Sequence, residues 1–105
     1  MSAQTRELIA ALDELASVLE GDGETHWANW VRSVRAQLLG ADDSGVERLL
    51  AAYGGMGSLN DVALGQSEKD GVFTWKPGHI QLNEKFSAFR TQAWKLATTI
   101  QRSRL

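Results

Sequence analysis

Cysteine is missing from all 105 residues. Disulfides and thiolate metal sites are therefore excluded, and a reducing compartment suits the chain. Histidine occurs only at His26 and His79. A zinc or iron site would need both, together with carboxylates such as Asp22, Glu24 or Asp61, and nothing in their spacing supports one. No lysine precedes Lys69, so the central glycines cannot belong to a phosphate-binding P-loop, which needs lysine beside its second glycine. No apolar run approaches the roughly 20 residues of a membrane-spanning helix, and no N-terminal run suits a secretory signal. The expected location is the cytoplasm, with no membrane partner. Nucleic acid is likewise not expected as a partner, because no dense basic stripe interleaves with exposed aromatics.

What is present is one small domain's worth of apolar residues, 43% of the chain, with 23% charged. The formal net charge of −2 hides an asymmetry. Residues 1–66 hold four Arg and ten Asp or Glu, giving −6; residues 67–105 hold seven Lys or Arg and three Asp or Glu, giving +4. The two parts either attract each other within the fold, or leave an acidic face for a basic partner.

The chain is organised around Tyr53-Gly54-Gly55-Met56-Gly57-Ser58-Leu59-Asn60-Asp61. Three glycines in four positions cannot sit inside a helix, at roughly 1 kcal/mol each relative to alanine. Gly54, Gly55, Gly57 and Ser58 are expected to form a special turn that lets two helices approach closely. Ser58 is expected to cap a short helix starting at Leu59. Helices are predicted on either side. Leu8, Ile9, Leu12, Leu15, Ala16 and Leu19 recur at helical spacing over about 4–20, with Gly21 as the left-handed stop. Trp27, Trp30, Val31, Val34 and Leu38 do the same over 24–39, with Thr25 as N-cap. Val46, Leu49, Leu50 and Tyr53 mark a helix over 44–53, with a capping box from Ser44 to Glu47. Asn83 caps a last helix over 83–103, striped by Phe86, Phe89, Ala93, Leu96, Ala97 and Ile100. Segment 61–82 is a loop or a hairpin pairing 62–65 with 72–75, closed by Pro77-Gly78. The fold class is mainly α, about four helices in one bundle-like domain with this insert before the last.

Four tryptophans invite a division of labour. Trp27, Trp30 and Trp94 lie on or beside apolar stripes and are assigned to the core. Phe73 and Trp75 alternate onto one face of a strand, where they cover the core, the favoured assignment, or anchor a partner. Asn60 and Asp61 cap local backbone, or project into a cleft. Backbone N–H groups of 55–59 could cradle an anion. Asp42-Asp43-Ser44-Gly45 lacks the alternating acids of a calcium loop. No catalytic residue, metal ligand or cofactor motif stands out.

Several segments together resemble a family of small uncharacterised bacterial proteins, one of the domain-of-unknown-function families. They are Leu8 to Leu19, Asp22-Gly23 followed by Trp27 and Trp30, and Leu49-Leu50 leading into Gly54-Gly55-Met56-Gly57-Ser58-Leu59-Asn60-Asp61. Ala93-Trp94-Lys95-Leu96-Ala97 completes the set, so the resemblance spans nearly the whole chain. It implies no activity. Small helical proteins of this kind include toxin-neutralising immunity proteins, by analogy alone. The function expected is non-enzymatic protein binding, with Asn60, Asp61, Phe73 and Trp75 as the binding residues. The alternatives are an anion- or metabolite-binding domain or enzyme using 54–61, and a structural homodimer.

Overall fold

The computed structural model describes residues 2–54 and 57–104. Four helices run α1 (Ala3–Gly21), α2 (Thr25–Leu39), α3 (Ser44–Ala51) and α4 (His79–Arg102). Between α3 and α4 lie a single 3-10 turn, Leu59–Asp61, and two strands, β1 (Gln66–Lys69) and β2 (Val72–Trp75). The hairpin before the last helix is thus present, but its first strand starts four residues later than the apolar run Val62-Ala63-Leu64 suggested. Leu64 is instead drawn wholly into the helical core, and the pairing is Gln66 with Trp75 through Lys69 with Val72. The cue for this register is Asp70-Gly71. Both residues have positive φ, 54° and 77°, as a two-residue type I′ hairpin turn requires.

α1 packs on α2 and on α4, and α3 closes the far side against the same two helices. Leu8, Leu12, Leu15 and Leu19 of α1 are fully buried at its centre, facing Val31 and Val34 of α2 and Phe86 of α4. Burying such a side chain contributes about 1.5–3 kcal/mol each. Leu59 and Leu64 reach the same core from the linker.

Several helix ends differ from expectation. Ser2 caps α1 by accepting from Thr5 N–H at 3.1 Å, and the left-handed residue after α1 is Gly23, with φ 82°, not Gly21. Thr25 begins α2 rather than capping it. The capping box at Ser44 does not form; Asp42 accepts from Ser44 N–H (3.1 Å) and Ser44 Oγ (2.6 Å). The Ser44 hydroxyl first, then the Gln37 amide and the Ser44 N–H, hold the exposed Asp42 carboxyl below its usual range. α3 stops at Ala51, two residues early. α4 starts at His79 on left-handed Gly78, four residues before Asn83. Asn83 is no cap because its side chain is turned to the linker.

On α2 the buried stripe is Ala28, Val31, Val34 and Leu38, so Trp27 and Trp30 flank the core half-buried, edge to face at 5.5 Å. Trp94 is 43% exposed and is not a core residue. The buried stripe of α4 is Phe86, Ala93, Ala97 and Ile100, and Trp94, the residue after Ala93, turns about 100° off that stripe.

Candidate functional site

Two polar nodes hold the linker, and a third region, the hairpin arm, is left open.

The first node gathers Tyr53, Asn60 and Arg90. The Tyr53 hydroxyl donates to the Arg90 carbonyl at 2.7 Å. Asn60 Nδ2 donates to the Tyr53 carbonyl at 2.6 Å. The Arg90 guanidinium donates to the carbonyls of Leu59 (3.2 Å) and Asn60 (3.3 Å) while lying over the Phe86 ring. Asp61 accepts from Gly57 N–H at 2.7 Å. Asn60 and Asp61 therefore cap backbone. Of the expected anion cradle, Gly57 N–H is taken by a carboxylate and Leu59 N–H by the Ala52 carbonyl, while Gly55 and Met56 lie outside the described residues. An incoming anion would meet the charge of Asp61.

Of the glycines, Gly57 is left-handed at φ 74°, which is reason enough for glycine. Close helix approach is not the reason, since a Cβ on Gly54 or Gly57 would meet nothing within 4 Å. Gly55 lies outside the described residues. Ser58 precedes the 3-10 turn without a side-chain cap bond; its buried Oγ has no hydrogen-bond partner among the described residues. It lines an open hollow of about 420 Å³ between Trp27, Trp30 and Arg48.

Burial pushes the Tyr53 phenol well above its ordinary value, with the Arg90 charge opposing. An unfolded tyrosine titrates near about 10. The contribution is intact below that pH and is lost as pH rises toward the higher folded value. Urea unfolding between pH 8 and 11 is expected to show stability falling above pH 10. Tyr53→Phe should flatten that fall and cost about 0.5–1.5 kcal/mol at neutral pH.

The second node locks the base of the hairpin. Asp22, at the end of α1, accepts from Gly65 N–H at 2.9 Å and pairs with Lys76 Nζ at 3.3 Å. Asn83 of α4 accepts from Leu64 N–H and donates to the carbonyls of Leu64 and His79, all at 2.8 Å. Gly65, at φ 80°, lies so close to α4 that a Cβ there would come within 2.6 Å of His79 Cβ. The sequence shows Asn83 only as a cap and Gly65 only as a flank, because both partners are distant in the chain.

Beyond this lock the arm is open. Phe73 and Trp75 share a face, rings edge to face at 5.2 Å, and Trp75 stacks on His79 at 5.0 Å. They do not cover the core: Phe73 is 54% exposed and Trp75 46%, beside Val72 at 60% and Ile80 at 59%. No hydrogen bond or ion pair among the described residues joins them to Asn60 or Asp61, so the four expected binding residues fall into two groups. Val72 and Ile80 were missed; both sit where the pattern leaves an apolar residue without a helix to face.

The charge asymmetry is used partly within the fold. Lys76–Asp22, Arg104–Asp43 and Arg104–Glu47 join the basic segment to the acidic one. Glu20 pairs with Arg32. Glu7, Asp13 and Glu14 stand exposed on α1, with no ion pair among the described residues. Among those residues no group of three His, Asp or Glu could hold a metal ion, and no helix is long and apolar enough to cross a membrane.

Residues 20–72, half of the chain, match the model of a family described as Domain of unknown function (DUF6966). The chain belongs to this family. No curated protein and no solved structure matches it. The DUF6966 match is narrower than the resemblance read from the sequence. It runs from the end of α1 to the first residue of β2, taking in α2, α3, Asn60 and Asp61. Most of α1 and all of α4 lie outside it, as do Phe73 and Trp75. The DUF6966 segment alone would leave its apolar faces uncovered, since α1 and α4 supply most of the core.

Proposed function

We propose that this chain is a non-enzymatic protein-binding domain of the cytoplasm, with the hairpin arm as its docking surface. The observation that carries this is the exposure of Phe73 and Trp75 on one face of a hairpin tied to the body at Gly65 and Asn83, with Val72 exposed on its other face and Ile80 exposed in the first turn of α4. Aromatic anchors on a pre-organised support are what binding surfaces concentrate. The most concrete version is a toxin-neutralising immunity protein, and the exposed acids Glu7, Asp13 and Glu14 of α1 suit a basic partner.

The test is capture of a stoichiometric partner by the tagged protein from its host lysate, repeated with Trp75→Ala. Trp75 touches the arm and His79 rather than the core, so Trp75→Ala should leave the melting temperature within about 3 °C while weakening the complex by more than ~1 kcal/mol. A partner held equally by both proteins would remove the arm from the interface. A large fall in melting temperature would return Trp75 to a structural role.

A further inference from the structure

The arm has an unpaired edge as well as a face, and the edge can be read residue by residue. Lys76 N–H donates to the Gly65 carbonyl at 2.7 Å, so 65 and 76 form a bonded pair. Bonded and non-bonded pairs alternate along antiparallel strands. Thr74 therefore exchanges bonds with Ser67, and Val72 with Lys69, across the pairs of the hairpin. Phe73 and Trp75 turn their N–H and C=O groups outward, away from β1. On the other strand Glu68 and Lys69 guard the edge with charge, a common defence against strand addition. β2, Val-Phe-Thr-Trp, carries no charge and is exposed at every residue.

We propose that β2 pairs antiparallel with β2 of a second copy of this chain about a two-fold axis through Thr74. This extends the reading of the arm as a binding surface by naming one occupant of its edge. Only such a register satisfies the outward groups symmetrically. Phe73 of one copy exchanges both bonds with Trp75 of the other, and the reverse pair does the same. Thr74 then faces its own counterpart as a non-bonded pair. Because opposed residues share a face, two Phe73 and two Trp75 rings line one side of a four-stranded sheet. Each Trp75 keeps its stack on His79 while both rings stay about half exposed, so pairing doubles the aromatic surface offered to another partner. Both donors and both acceptors that β2 turns outward are thereby matched by its own copy, and Val72–Trp75 brings no charge of its own into the seam. Four-residue strands bury little area, so association belongs to the weak class, on the order of 10–100 μM.

The cysteine-free chain permits a clean test. In a non-bonded pair the Cα atoms stand about 4.5 Å apart, within disulfide range. Thr74→Cys should cross-link to itself under mild oxidation. Val72→Cys, also exposed and on the same face, would lie about 14 Å from its counterpart at ~3.4 Å per residue and serves as the control. The expected results are a wild-type mass rising from 11.5 kDa toward twice that in a sedimentation series to about 500 μM, and cross-linking of Thr74→Cys at least roughly tenfold faster than of Val72→Cys. A wild-type protein that stays monomeric throughout overturns the pairing and leaves capture of a different protein through the arm untouched. A dimer that cross-links both variants equally overturns this edge and register.

Discussion

Gly65→Ala is expected to be among the most damaging single-methyl additions in this protein. Two costs add. The backbone at φ 80° is left-handed, which costs a non-glycine residue roughly 1–2 kcal/mol. The new Cβ would also lie 2.6 Å from His79 Cβ and 3.1 Å from its Cα. The nearer atom belongs to a side chain at its root and the other to backbone, so the start of α4 must move. Overpacking of that kind costs about 1–3 kcal/mol. The sum, about 2–5 kcal/mol, compares with a total stability of roughly 5–15 kcal/mol for a chain of this size. Gly71→Ala separates the two costs. It has similar φ, 77°, but a Cβ there meets nothing within 4 Å. Denaturant melts of both variants should show Gly65→Ala losing about 1–3 kcal/mol more than Gly71→Ala. Equal losses would show that the close approach to His79 yields freely. The damage should also reach the arm, because His79 carries the Trp75 stack; a change in near-ultraviolet circular dichroism is the expected sign.

Asn83→Ala should cost about 2–4 kcal/mol, since one amide group satisfies three backbone groups, and each hydrogen bond contributes roughly 0.5–1.5 kcal/mol net. Hydrogen exchange at Leu64 N–H should speed up at least tenfold as the linker loses its tie to α4. Asn83→Asp sharpens the point. The new carboxylate still accepts from Leu64 N–H but sets negative charge against the carbonyls of Leu64 and His79. Its folded pKa should be raised. The variant's deficit is therefore smallest below the ordinary carboxylate value of about 3.9 and grows as pH rises through the raised one. A pH-independent deficit would mean that the two carbonyls turn to water.

The mainly α fold was legible in the sequence because apolar residues three and four apart can be buried only on one side of a helix. Leu8 to Leu19 and Phe86 to Ile100 carry that signal; the first set is buried throughout, and of the second Phe86, Ala93, Ala97 and Ile100 are buried while Phe89 and Leu96 pack half-buried against the core. Asp70-Gly71 also fixes the hairpin turn locally, through positive φ that few other dipeptides accept. Tertiary structure decided the rest, because the deciding partners are far away in the chain. Asn83 looks like a helix cap until Leu64 stands 19 residues back against it. Gly65 looks like a spacer until α4 crosses it. Trp94 looks like core until the packing on α1 and α3 selects the stripe Phe86, Ala93, Ala97 and Ile100 and leaves its neighbour Trp94 outside it. The choice between Phe73 and Trp75 as core cover or exposed arm was likewise not local. Alternation puts both rings on one face; whether that face meets helices or water depends on how Gly65 and Asn83 aim the hairpin.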